Sequence, residues 1–248
     1  MCFSVQVDKD IRKLSKAFSA SINESAYQQF ESLQKLETII GQRALLDKLG
    51  MTKSRLRKTP VIKTPKEDGI VYANYFTSVI TQKDKGGLQI EPMRYRVRPA
   101  GSQDEIPSKY NIFNARIDAL EKRETWRNIF GKKHGILVLS KFYEWVVRDN
   151  QKKIVSFSPS EHEYMTVPCI WDEWRSPGGE ISFKSFAVIT KDPPEDVLRN
   201  GHDRCPVFLK KDSISGWLET NQSKSFYMNT LLKTQSASYV CQPLQNKT

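Results

Sequence analysis

Histidine is scarce in this chain and cysteine is scattered. Three histidines (His134, His162, His202) and four cysteines (Cys2, Cys169, Cys205, Cys241) occur in 248 residues, with no Cys-x-x-Cys pair among them. That spacing argues against the common zinc patterns and against a disulfide framework, so neither a metal nor a cofactor is expected, and a reducing compartment is. Apolar runs are short as well. Nowhere do about 18 apolar residues follow one another, the length needed to cross a bilayer as a helix. The N-terminus passes from Cys2-Phe3-Ser4-Val5 straight into charged residues, without an apolar signal segment. The expectation is a soluble cytoplasmic monomer, nucleoid-associated if bacterial, with no membrane partner.

Acids are outnumbered. Against 39 Lys and Arg stand 28 Asp and Glu, for a net charge of +11 and a pI near 9.4. A polyanion is therefore the expected partner, and nucleic acid is the commonest one. The chain also has the material for a sizeable core: 38% of residues are hydrophobic, including 12 Phe, 9 Tyr and 5 Trp.

Residues 8 to 50 carry apolar side chains at spacings of three and four (Ile11, Leu14, Phe18, then Tyr27, Phe30, Leu33, Leu36), which predicts helices, the second capped by Asn23. A basic loop follows with Lys53, Arg55, Arg57, Lys58, Lys63 and Lys66, broken by Pro60 and Pro65. It reads equally well as a solvated linker or as a phosphate-contacting arm. From Gly69 the pattern turns to period two, predicting strands over Val71 to Ile80 and Leu88 to Val97. In the second, Arg94, Arg96 and Arg98 alternate with Met93, Tyr95 and Val97, so three guanidiniums share one face and are expected to meet water or phosphates.

Asn114-Ala115-Arg116 opens an expected helix to about Trp126, and Gly135 to Val147 reads as a single apolar strand. Alternation puts Glu144 on the face of Val138, Phe142 and Val146. A carboxyl among apolar side chains has a raised pKa and suits proton donation near neutrality. Further strands are expected at Ile154 to Phe157, Tyr164 to Trp171, Ile181 to Thr190 and Ser236 to Cys241. Short helices are expected after Asp192, as a cap, at Ser213 to Leu218 and at Ser223 to Leu232. His202 lies in a loop, where an imidazole can shuttle protons.

Met1-Cys2 offers chemistry that no internal residue has. Once Met1 is removed, Cys2 carries an amine and a thiol on adjacent carbons. The amine adds to an aldehyde as a Schiff base and the thiol then closes a five-membered thiazolidine. The α-amine, with an ordinary pKa of roughly 7.7–8, is partly unprotonated at neutral pH.

Met1-Cys2, Asn114-Ala115-Arg116, Phe142-Tyr143-Glu144-Trp145 and His202-Asp203-Arg204-Cys205-Pro206, in that order, resemble the SRAP family, the abasic-site-processing proteins once called SOS response-associated peptidases. The resemblance runs from Cys2 to about Leu209. It implies one α+β domain spanning 1–248, of mixed, mostly antiparallel β-sheets curled into a barrel-like core with peripheral helices, and a helical and basic elaboration at about 8–66. It further implies covalent capture of abasic sites in single-stranded DNA by Cys2, with autoproteolytic loss of Met1. Asn114 would orient the Cys2 amine, Glu144 would act as acid and base in ring opening and reversal, and His202 would assist proton transfer. Arg116 and Arg204 would hold flanking phosphates, Trp145 would pack near the site, Tyr95 would inherit base stacking, and Thr190 is a further family position. The chain departs from the family at Phe3-Ser4 (usually Gly-Arg), Tyr95-Arg96 (Trp-Gly), Lys141 (Gly) and Cys205 (Met). Two other readings of the same residues are a cysteine hydrolase using Cys2, His202 and Glu144, and a non-covalent single-strand binding module using the arginine strand and the basic loop.

Overall fold

The structure is a computed structural model that describes residues 3–51, 56, 58–84, 86–148 and 150–244. Cys2, Lys53, Arg55 and Arg57 lie outside the described residues. In chain order the strands are β1 (Ser4–Gln6), β2 (Ala20–Ile22), β3 (Ile70–Tyr72), β4 (Phe76–Gln82), β5 (Leu88–Tyr95), β6 (Asn114–Arg116), β7 (His134–Leu139), β8 (Lys141–Arg148), β9 (Gln151–Pro159), β10 (Met165–Arg175), β11 (Ser182–Lys191), β12 (Cys205–Pro206) and β13 (Tyr239–Pro243). The helices are α1 (Ile11–Phe18), α2 (Glu24–Ile40), α3 (Gln42–Lys48), α4 (Glu124–Arg127), α5 (Glu195–Arg199), α6 (Ile214–Leu218) and α7 (Lys224–Leu232).

Five strands close into a barrel. The order β11-β10-β7-β4-β5 returns to β11 through two parallel pairs, Ser185 with Arg94 and Phe186 with Tyr95. A second, five-stranded sheet runs β13-β9-β8-β1-β3. Its inner side chains, Val5, Phe142, Val146, Val155 and Phe157, share one apolar cluster with Met93, Leu137, Val167 and Val188 of the barrel strands. A second cluster lies under α6 and α7, where buried His134 stacks on Trp217 at 4.0 Å. Among apolar neighbours an imidazolium is poorly solvated, and burial lowers the His134 pKa to about 4.

Period two does not reveal where a strand leaves one sheet for the other, and the structure corrects two expected strands on this point. Val71 to Ile80 divides at Ala73-Asn74-Tyr75, with Asn74 left-handed at φ 74°, so β3 joins the flat sheet and β4 the barrel. Gly135 to Val147 divides at Ser140, whose N–H bonds to Gln6 O. The break shifts the phase, so Leu137 and Leu139, rather than Val138, share the core of Phe142 and Val146. The helix expected from Asn114 begins instead as β6, which pairs in parallel with β11 before a short 3-10 turn and α4. Tertiary pairing overrides local propensity there. The elaboration is helical as expected, with Asn23 accepting from Ala26 N–H at the start of α2, and it adds β2 to the barrel edge beside β5.

The expectation for the arginine row is overturned. Arg94, Arg96 and Arg98 are buried and converge on Glu105. Arg94 donates to both carboxylate oxygens at 2.7 and 3.2 Å, and Arg96 donates at 2.6 Å and also to the carbonyls of Ile106 and Pro107. Arg98 donates to Leu49 O and Gln103 O while its guanidinium stacks 3.5 Å from the Trp174 ring centroid; burial pulls its pKa down to about 10. Burial works to raise the Glu105 pKa, but the guanidiniums, Arg94 first, outweigh it and hold the carboxyl below its ordinary value. This clasp fixes the loop after β5 against the end of α3. Gly50 permits the approach, since a Cβ there would lie 2.2 Å from Gln103 O. Tyr95 is buried too, stacked on Phe186. None of these four side chains is open to a phosphate or a base.

Candidate active site

Strand β8 positions the acid. Along Lys141–Arg148 the buried positions Phe142, Glu144 and Val146 alternate with exposed Trp145 and Val147, as the two faces of a pleated strand require. Glu144 is 1% exposed, and its Oε2 lies 3.0 Å from His202 Nε2. Burial raises its pKa, with the hydrogen bond to His202 working the other way. On the imidazole's far side, Nδ1 lies 2.9 Å from Arg204 O and 3.2 Å from Arg204 N. The ring is thus held between the Arg204 backbone and the buried carboxyl, with Nε2 turned to Glu144.

The end of β11 gathers the remaining groups. Val188 to Thr190 pair with Asn114 to Arg116 on one edge, and Thr190 and Lys191 pair with Pro206 and Cys205 on the other. Asn114, Arg116 and Thr190 therefore share a face with Val188, which belongs to the core containing Phe142 and Val146. Arg204, one residue before β12, arrives beside them. Asn114 accepts from the Tyr95 hydroxyl at 3.3 Å, and Thr190 Oγ1 is buried with no partner among the described residues. Asn114, Arg116 and Thr190 line a cleft of about 490 Å³.

Arg116 and Arg204 differ from the clasp arginines in their counter-ions. Arg116 pairs with Asp118, both about half exposed, and Arg204 pairs at 2.6 Å with Asp192, which is 89% exposed. Exposed carboxylates are weakly held and can be exchanged for a phosphate. Asp192 is thus a counter-ion and not the expected cap of α5, which has no side-chain cap. Lys109, Tyr110 and Arg123 line the same cleft. Sequence reading passed over Lys109 and Tyr110 because residues 99 to 110 show no period, their one signal being an aromatic residue next to a base in a loop, and over Arg123 because it lay inside the expected helix to about Trp126. Trp145 is 45% exposed on the face opposite Glu144, with its ring 5.5 Å from that of Phe3. The Phe3 N–H bonds to Tyr143 O at 2.9 Å, so the β1 end that follows Cys2 lies alongside Tyr143-Glu144. Among the described residues no group of His, Cys, Asp and Glu is arranged to hold a metal, and no helix is long and apolar enough to cross a membrane.

Comparison with known proteins gives one consistent result. The family model described as SOS response associated peptidase (SRAP) matches residues 1–247. The abasic site processing protein YoqW of Bacillus subtilis is 24% identical over 155 residues, covering 62% of this chain and 68% of that protein. The abasic site processing protein HMCES of Xenopus tropicalis is 25% identical over 190 residues, covering 67% of this chain and 54% of its own length. Two crystal structures share the fold: a Bacteroides thetaiotaomicron protein (TM-score 0.69, 17% identity, 99% of this chain and 93% of that one) and a Bordetella bronchiseptica protein (TM-score 0.68, 19% identity, 98% and 100%).

Proposed function

The chain belongs to the SOS response-associated peptidase family, and on that premise we propose that it processes abasic sites in DNA, capturing them in single strands as a covalent thiazolidine on Cys2. Loss of Met1 frees the amine. That amine adds to the aldehyde carbon of the ring-opened sugar, water leaves to give the imine, and the Cys2 sulfur adds to the same carbon while its proton passes to nitrogen. Aldehyde and aminothiol thus give thiazolidine plus one water. Reversal needs a proton returned to the ring nitrogen or sulfur and a base to deprotonate the attacking water.

The single observation carrying this reading is the buried Glu144–His202 pair, 3.0 Å apart on the strand that hydrogen-bonds the residue after Cys2. A carboxyl whose pKa is raised by burial can protonate the sugar ring oxygen as the ring opens, and His202 can take up and return that proton. Asn114 would hold the amine, Thr190 Oγ1 would find its missing partner on the sugar or its phosphate, and Arg116 and Arg204 would exchange exposed aspartates for flanking phosphates.

The test is incubation of matured protein with a single-stranded oligonucleotide bearing one abasic site, followed by a denaturing gel. A heat-stable adduct is expected with wild type, and none with Cys2→Ala or with Met1 retained. An adduct of equal yield in Cys2→Ala overturns the reading. A hydrogen-bonded imidazole and carboxylate also suit a thiol hydrolase. In that case the Cys2 thiol would act alone, and a retained Met1 would leave activity intact.

A further inference from the structure

A line of rings runs from Trp145, on the face of the five-stranded sheet opposite Glu144, to Tyr75 in the turn between β3 and β4. Trp145 of β8 meets Phe3 edge-on with centroids 5.5 Å apart, Phe3 meets Tyr72 of β3 at 5.5 Å, and Tyr72 meets Tyr75 at 5.5 Å. The register of the sheet accounts for two of the rings: Ser4 pairs with both Tyr143 and Tyr72, so Trp145 and Tyr72 stand on one face in the columns flanking β1, and Phe3, just before β1, touches both. Two ammonium groups lie over it, Lys66 Nζ 5.1 Å from the Tyr72 centroid and Lys63 Nζ 5.7 Å from that of Tyr75. Trp145 is half exposed and the other three rings are partly open. Nothing in the chemistry proposed above uses Phe3, Tyr72, Tyr75, Lys63 or Lys66.

We propose that this strip is a stacking platform for the unpaired bases beside the captured lesion, with Lys63 and Lys66 on the phosphates between them. The proposal rests on the reading of the protein as a single-strand binder and extends the path of the strand beyond the cleft. Two observations favour nucleic acid over a protein partner. Rings interleaved with fixed positive charge are how proteins hold single strands without reading sequence, whereas the cores of protein interfaces are depleted in lysine. The strip also starts at the chemical centre, since Phe3 follows Cys2 and Trp145 follows Glu144 in the chain. Where the family commonly has glycine at the third position, this chain has a ring that bridges Trp145 to Tyr72.

The experiment uses an undamaged oligothymidine labelled for fluorescence anisotropy, so that no covalent step enters and failure here is distinguishable from failure of the adduct test. Tyr72→Ala and Tyr75→Ala should each weaken binding by about tenfold, the scale of losing one stacked base. Tyr72→Phe and Tyr75→Phe should bind as wild type does, because they keep the ring. Lys63→Ala with Lys66→Ala should flatten the dependence of log affinity on log salt by about 0.7 per phosphate released. Ile39→Ser, an exposed apolar position on α2, serves as the control and should change nothing. Unchanged affinity in the tyrosine-to-alanine variants, an equal loss in the Ile39→Ser control, or failure of the phenylalanine variants to restore binding would each overturn the proposal.

Discussion

Two clusters of charge, the arginine clasp and the candidate active site, do opposite things. In the clasp, three guanidiniums surround one carboxylate that is itself only 10% exposed, and spare N–H groups reach backbone carbonyls. At the candidate active site, a buried carboxyl and an imidazole lie 3.0 Å apart, Thr190 Oγ1 has no partner among the described residues, and Arg116 and Arg204 rest on exposed aspartates. Counting arginines does not separate the two. What separates them is the counter-ion: a guanidinium held by a buried carboxylate is structural, and one held by an exposed carboxylate is available for exchange.

The largest expected effect tests the clasp. Glu105→Ala leaves three buried guanidiniums without their acid and should cost about 3–5 kcal/mol in urea unfolding; a loss under about 1 kcal/mol would mean that water solvates the arginines after all. His134 belongs to the same class of sealed groups. Its pKa falls from 6.5 unfolded to about 4 folded, so between those values the unfolded chain binds a proton that the native state refuses. The stability it contributes is complete above pH 6.5 and is lost as pH falls toward 4, by about 3 kcal/mol in all. In His134→Gln the decline should be smaller by that amount, and an unchanged decline sinks the assignment.

The candidate active site should respond in rate rather than stability. Glu144→Gln should slow release of a preformed adduct about 100-fold, the low end of general acid–base catalysis, and because it removes a group whose ionisation burial opposes, unfolding should shift by less than about 1 kcal/mol. Release at the wild-type rate removes the acid–base role. The smallest effect sharpens the counter-ion rule. Arg204→Gln should reduce the salt slope of single-strand binding by about 0.7, one phosphate's worth, while Arg94→Gln should leave the slope alone among molecules that remain folded. Equal slopes in the two variants would erase the distinction.

The surroundings of Glu144 were more legible in the sequence than the topology. Alternation put it on the face of Phe142 and Val146, and the order of four short motifs pointed to His202, which lies 3.0 Å from it. Periodicity could not show that β3 and β4, or β7 and β8, belong to different sheets, because a strand that changes sheets keeps its period: Val71 and Val79 stay in phase across Asn74, and at Ser140 only the phase shifts. The arginine row failed for a related reason. A pleat tells which side chains share a face, but whether that face meets solvent depended on Glu105, which lies in a loop with no pattern to read.

The barrel is joined at its seam by only two parallel residue pairs, between positions 94 and 186, and that brevity shapes how the molecule assembles. Ribosomal synthesis delivers β4 and β5 long before β11, so the far end of β5 waits for its partner while the whole stretch between positions 95 and 185 is made. Contacts so distant along the chain form slowly because the intervening loop must first lose its freedom. Amide hydrogen exchange should register the same ordering, with the backbone at the seam opening before the β10–β11 hairpin beside it.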